Sequence, residues 1–317
     1  MRARGYLYVT AAAFLWACSG TAGKYLFRGG MQPAELVQAR VTIAAGLLLV
    51  LLAAFRRPLL RIRPADLPSF LALGLVVTPL LQMTYFMSIK HIPVALALLI
   101  QYLAPILVGL LSVAFLGERL TLVKIAALVF SLAGCYLALG GLSLSSAGLN
   151  RWGVFWGLCS AFLYAAYTLL SERQMRRFSP WTVLFYALLL AGLSLNIVLG
   201  PVIFVDRGHS PQEWLLVGFV AIFGTLLPFG LFYLGINQIR STHAIITATL
   251  EPIFAAVLAF VLIGERLSIM QLLGGALVIA AIVLLQLERG KDELAPAAIR
   301  ARLKAYDSKN TLIGTPE

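Results

Sequence analysis

Two ionisable side chains, Arg40 and Glu251, stand well inside apolar stretches of this 317-residue sequence. Glu251 lies about ten residues into the run 242–263, where a carboxylate near a bilayer centre costs at least ~2.5–3.5 kcal/mol. Such a group could take up and release a proton or pair with an ammonium group. Packing as a protonated carboxyl beside Pro252 is the plain structural alternative. Arg40 lies about seven residues into the run 34–55 and keeps its charge, so it must pair, snorkel or face water. It could bind a carboxylate, form a coupling or structural ion pair with Glu251, or latch a helix end.

Uncharged polar groups are scattered among the same runs: Gln82, Tyr85, Gln101, Tyr102, Tyr164, Tyr167, Asn237, Thr247 and Thr249. Interhelical hydrogen bonding accounts for any one of them. Those near helix breaks suit a cavity wall, and Trp16 and Tyr164 would add aromatic faces for an amphipathic ligand. The candidate binding set is therefore Trp16, Gln82, Tyr85, Gln101, Tyr102, Tyr164, Tyr167, Thr247 and Glu251.

Pro79, Pro105, Pro228 and Pro252 mark the breaks. Each removes a backbone donor and frees the carbonyl four residues earlier, on Leu75, Gln101, Gly224 and Ala248. Lipid cannot satisfy a freed carbonyl, so those faces should meet protein or a wet cavity. Other chemistry finds no support. Gly20-Thr21-Ala22-Gly23-Lys24 lacks the first glycine and the closing Ser/Thr of a P-loop, so no nucleotide site is expected. His91, His209 and His243 lack ligand spacing, so neither metal nor cofactor is implied, and no nucleophile–base–acid set stands out.

The elements that must position these residues are membrane helices. Hydrophobic residues make up 61% of the chain and charged ones 12%, against about 45–50% and about 25% in soluble domains. The excess falls in runs near the ~20 residues a spanning helix needs, without the alternation of a barrel. Ten runs stand out: 6–27, 34–55, 68–89, 93–116, 121–140, 152–172, 181–204, 213–236, 242–263 and 267–287. The formal charge of +12 sits in short loops and a tail, which fixes orientation rather than binding nucleic acid. With ten spans, Arg2, Arg4, Arg56, Arg57, Arg61, Arg63, Arg119, Lys124, Arg173, Arg176, Arg177 and Arg240 share one side. Lys24, Arg28, Lys90, Arg151, Arg207 and Arg266 share the other. The bias places both termini in the cytoplasm and the chain in the cell's inner membrane. Cys18, Cys135 and Cys159 all fall inside helices and read as no disulfide framework.

The chain repeats. Residues 89–121 align without a gap on 236–268 at an offset of 147, setting Pro105 on Pro252 and Gly117-Glu118-Arg119-Leu120 on Gly264-Glu265-Arg266-Leu267. Thr78 meets Thr225 and Pro33 meets Pro180 at the same offset, while Trp16 meets Tyr164 and Lys24 meets Glu172 one residue further on. Five spans per half is an odd number, so the halves are inverted, the signature of a carrier with its site near the midplane. Lys24 and Glu172 read as interfacial anchors, and the Glu-Arg pairs as solvated caps or gate-side contacts. Gly153 and Gly157 form a small face that packs within the monomer.

These paired motifs, Pro105 then Gly117-Glu118-Arg119-Leu120-Thr121 and Glu251-Pro252 then Gly264-Glu265-Arg266-Leu267, resemble the drug/metabolite transporter superfamily, its EamA-type branch. Trp16, Pro33 and Arg40 are similar to that family too, and the resemblance covers residues 6–287. It implies an all-α integral membrane basket of ten helices working by alternating access. Glu251-Pro252 looks like its amino-acid exporters. The expected organisation is a first repeat over 1–140, an inverted second repeat over 141–287, and a basic cytoplasmic tail over 288–317 that is disordered or a surface helix. The expected partners are a small solute and lipid, in a monomer or weak dimer. Export of amino acids or related amphipathic solutes is the leading expectation, with uptake or facilitated diffusion as the alternative. A membrane-embedded receptor or a lipid-acting enzyme is the reading from another class.

Overall fold

A computed structural model describes residues 2–92, 94–117, 120–138, 150–200, 209–263, 268–287 and 295–313. All regular structure among them is helical. In chain order the helices are α1 (Arg2–Arg28), α2 (Pro33–Phe55), α3 (Pro64–His91), α4 (Val94–Gln101), α5 (Ala104–Leu116) and α6 (Leu122–Ala138). They continue as α7 (Arg151–Met175), α8 (Pro180–Leu199), α9 (Pro211–Ala248), α10 (Glu251–Ile263), α11 (Ile269–Leu287) and α12 (Pro296–Ile313). Among the described residues, six helical stretches are long and apolar enough to cross a membrane: α2, α3, Leu96–Leu116, α7, α8 and α9. Shorter apolar stretches lie at Leu122–Leu137 and Ile269–Leu285. Large apolar residues such as Phe55, Leu122 and Ile197 project outward, which suits a lipid-facing surface and would be a liability in water.

Caps fix where the helices begin. Gln32 and Glu35 form a capping box at α2, Ser179 caps α8, and Ser210 with Glu213 boxes the start of α9. Proline follows directly at α2, α8 and α9, where its missing N–H costs nothing.

The packing is arranged in matched pairs. α1 packs along α9, and its repeat equivalent α7 packs along α3. α2 pairs with its own equivalent α8, and α6 with α11. Close approach needs glycine at two of these seams. A Cβ on Gly235 would stand 2.2 Å from Val9 Cγ2, and one on Gly134 would stand 2.7 Å from the Gly274 carbonyl oxygen.

The spans expected over 93–116 and 242–263 are interrupted, as helices carrying Pro105 and Pro252 should be. α4 stops at Gln101 and α5 starts at Ala104, leaving Tyr102 and Leu103 between them. In the second half α9 stops at Ala248 and α10 starts at Glu251, leaving Thr249 and Leu250, again 147 residues on. Pro105 and Pro252 are the second residues of the new helices, so each break precedes its proline. α9 itself changes direction at Arg240, where φ is 70° and ψ 169°. α3 and α9 also each carry a π-turn, at Ala72–Val77 and Ile222–Leu226. Thr78 and Thr225 donate five residues back, to the Leu73 carbonyl at 2.6 Å and the Val220 carbonyl at 3.0 Å.

Where composition suggested disorder or a surface helix, the tail contains helix α12. Arg300 docks it by donating to the Met175 and Phe178 carbonyls and, at 2.7 Å, to Asn237 Oδ1. Burial lowers the pKa of this guanidinium. Gly5, near the start of α1, lies against Ile239 of the same region, so α12 and the start of α1 share one end of the bundle. Glu118-Arg119, Glu265-Arg266, Arg207 and the loop 139–149 lie outside the described residues.

Candidate functional site

The repeats meet around a cavity of about 610 Å³ lined by α1, α2, α3, α4, α7, α9 and α10. Trp16, Gln82, Tyr85, Gln101, Tyr164 and Glu251 line it, and so does Arg40. Ser19, Leu81, Phe86, Val220, Gly224 and Phe229 complete the wall. Of these six the sequence points only to Gly224, whose carbonyl Pro228 frees, although Ser19 sits one helical turn beyond Trp16.

Both charged groups are tied to a helix break. Arg40 reaches from α2 to the π-turn of α9, donating through Nη2 to the Gly224 carbonyl at 2.6 Å and through Nε to Thr225 Oγ1 at 2.7 Å. Pro228 has no N–H for that carbonyl, so the guanidinium takes the place of a backbone donor. The Arg40 Cζ also lies 5.0 Å from the centroid of the Phe86 ring, a favourable cation–π placement. Across the cavity, Tyr102 donates to the Ala248 carbonyl at 3.0 Å, the one freed by Pro252, and bonds Glu251 Oε2 at 2.7 Å. The break in the first repeat thus plugs the break in the second. Arg40 and Glu251 face one cavity without pairing directly; each has a different polar partner.

Several polar atoms keep free valences toward this space. Among the described residues, the Gln82 amide, the Tyr85 hydroxyl and Arg40 Nη1 make no protein hydrogen bond. Glu251 Oε1 is likewise without a partner, and none of these atoms is sealed from solvent. Gln101 instead donates to Ser160 Oγ at 2.6 Å. Trp16 and Tyr164, equivalent in the repeat, both pack on Phe232, with centroids at 5.5 and 5.9 Å.

Three sequence candidates do not line the cavity. Tyr102 stands behind Glu251 and is 1% exposed. Tyr167 is buried between Phe229 and Tyr233. Thr247 donates to the His243 carbonyl in its own helix. Asn237 holds the tail, and Thr249 donates to the Ile246 carbonyl. Toward the chain-terminal end, Tyr6 bonds His243 at 2.8 Å and Tyr167, Phe232 and Tyr233 are fully buried, so that half is packed shut.

Comparison with known proteins gives this cavity its context. An uncharacterized transporter of Archaeoglobus fulgidus is 32% identical over 224 residues, 70% of this chain and 78% of its own length. The uncharacterized inner membrane transporter YicL of Salmonella typhimurium is 25% identical over 292 residues, 90% of this chain and 96% of its own. A crystal structure shares the fold, with a TM-score of 0.71 at 22% identity over 90% of this chain and 96% of that one. The EamA-like transporter family matches residues 3–140 and again 151–287, once in each half. A multi-pass helical membrane protein with a polar cavity at the junction of two matching halves, this chain belongs to the EamA-like transporter family.

Proposed function

We propose that the protein is a secondary active transporter that moves amino acids or related amphipathic metabolites by alternating access, with export as its working direction. In this reading ten spans form two inverted repeats in the inner membrane, with both termini cytoplasmic. One observation carries the substrate class: among the described residues, the cavity presents a single guanidinium, Arg40, and a single carboxylate, Glu251, amid aromatic walls. A zwitterion would place its carboxylate toward Arg40 Nη1 and its ammonium toward Glu251 Oε1. Gln82 and Tyr85 would supply the remaining hydrogen bonds, and the faces of Trp16, Tyr164 and Phe229 would receive the apolar side chain. Glu251, bonded only through Oε2 to Tyr102, is the group whose proton would be exchanged during the cycle.

Support for alternating access comes from the backbone. Helices are broken at positions 147 residues apart, and the two breaks touch through Tyr102. Exchanging the conformations of the halves exchanges the side to which the cavity opens.

Purified protein in liposomes should accelerate movement of at least one neutral amino acid, saturably and without ATP. Glu251→Gln should leave folding and expression intact while reducing flux by at least about tenfold or flattening its pH dependence, since a loss of one charge-assisted bond is worth about that factor. Absence of saturable flux across a panel of amino acids, amines and drugs, in a demonstrably folded preparation, defeats the reading. A Glu251→Gln protein that transports like wild type at every pH reduces Glu251 to packing.

A further inference from the structure

Glu172 has a place in the molecule that its sequence position conceals. It stands at the end of an apolar run next to Arg173 and reads as an interfacial anchor, yet its side chain is completely buried. Oε2 accepts the Ser241 backbone N–H at 2.7 Å and the Ser241 hydroxyl at 2.5 Å, which caps the half-helix from 241 to Ala248. Oε1 faces two arginines, Arg240 Nε at 3.4 Å and Arg176 Nη2 at 3.5 Å. Both arginines also donate to the Leu116 carbonyl, at 3.4 and 3.1 Å, at the last turn of α5. Arg240 is held at φ 70°, the only described residue other than glycine in that region.

One carboxylate therefore ties together the ends of both broken helices. α5 continues from the Tyr102 break of the first repeat, and the half-helix from Ser241 leads into the Glu251 break of the second. The tie sits at the end of the bundle that carries the start of α1 and helix α12. Repeat symmetry does not duplicate it. Lys24 and Pro93 stand where the other half would need the equivalents of Glu172 and Arg240, at offsets of 148 and 147. A lysine and a proline cannot form an opposite-charge latch.

We propose that Glu172, with Arg240 and Arg176, is the latch of the gate at the terminal-bearing face, holding the cavity closed on that side until the two broken helices separate. The proposal rests on the alternating-access reading, but its test needs no solute. Glu172→Gln separates the two jobs of the side chain. A glutamine oxygen can still accept from Ser241, whereas its amide and lost charge remove the carboxylate's ion pairs to both arginines.

The reporter is Ser19→Cys, a cavity-lining position, in protein lacking Cys18, Cys135 and Cys159, labelled by an impermeant maleimide in right-side-out and inside-out vesicles. In Glu172→Gln, labelling from the terminal-bearing face should rise about tenfold, the shift that loss of one charge-assisted bond gives a two-state equilibrium, and labelling from the opposite face should fall. Arg240→Gln, which leaves the Ser241 cap in place, should move both rates the same way if the first variant does not fold. Simple loosening raises both rates together and overturns the proposal, as does an unchanged ratio. A protein without flux can still pass this test, and a transporting protein whose labelling ignores both variants loses the latch alone.

Discussion

Arg40 substitutes for the backbone donor that Pro228 removes, and Arg40→Met tests this role. Two hydrogen bonds are lost, to Gly224 O and Thr225 Oγ1, together with the Phe86 contact. In water-soluble proteins bonds from a charged donor are worth about 1.5–3 kcal/mol each. Within helical bundles in bilayers, measured pairs average about 0.6 and reach about 1.7 kcal/mol. The bilayer figures apply here, giving about 1–3 kcal/mol for the two bonds, and the ring adds about 0.5–1 kcal/mol. Relief of the buried guanidinium's desolvation works in the opposite direction, so about 1–3 kcal/mol remains. At about 2–4 °C per kcal/mol for a chain of this order of size, the apparent Tm in detergent should fall by about 2–12 °C.

Size alone does not identify the cause, so Pro228→Ala provides the control. Alanine restores an N–H four residues after Gly224, and the carbonyl no longer depends on Arg40. Arg40→Met should therefore cost at least about 1 kcal/mol less in the Pro228→Ala background than in wild type, a coupling well above the ~0.3–0.5 kcal/mol within which independent sites add. Additive costs would refute the donor-replacement argument, whatever the single-variant Tm.

Two further predictions concern the scaffold. With both termini cytoplasmic, a cysteine at exposed Gln212 should react with an impermeant reagent from outside the cell and one at exposed Arg61 should not; the reverse pattern inverts the topology. Gly134→Ala should cost about 1–3 kcal/mol by wedging α6 away from the Gly274 backbone. Gly46→Ala, which meets nothing within 4 Å in mid-helix, should stabilise by about 0.5–1 kcal/mol. Equal apparent Tm shifts for these two would mean that α6 and α11 are not in close contact.

The features legible in the sequence are those on which lipid or water imposes a penalty. A charge in an apolar run and a proline without an N–H each cost several kcal/mol in lipid unless protein structure answers them, and a hydrophobic run of spanning length is costly outside lipid. That is why Arg40, Glu251, Pro228 and Pro252 drew attention and why the family could be recognised from paired motifs. What could not be read was the partner of each group, because the partners come from the other repeat. Arg40 meets a carbonyl 184 residues away, and Tyr102 meets one 146 residues away. Tyr102 looked like a wall residue and is the plug behind Glu251. Glu172 reads as an interfacial anchor for the opposite reason: a carboxylate beside Arg173 at the end of a run looks solvated in one dimension, and only the fold brings Arg240 and Ser241 onto it.

The repeat also determines where asymmetry carries meaning. Thr78 and Thr225 make the same bond five residues back, and the two helix breaks fall in register, so the halves share these features of their backbones. The charges at the cavity and at the latch are not copied. Ala187 stands opposite Arg40 at the repeat offset, Ala104 opposite Glu251, and Lys24 opposite Glu172. A carrier built from two identical halves would bind its solute equally from both faces and favour neither closed state. Here the second repeat supplies the carboxylate at the cavity and the latch below it, while the first supplies the guanidinium that braces the second repeat's π-turn. The shared backbone provides two equivalent ways to open, and these unshared side chains are the terms that make their energies differ.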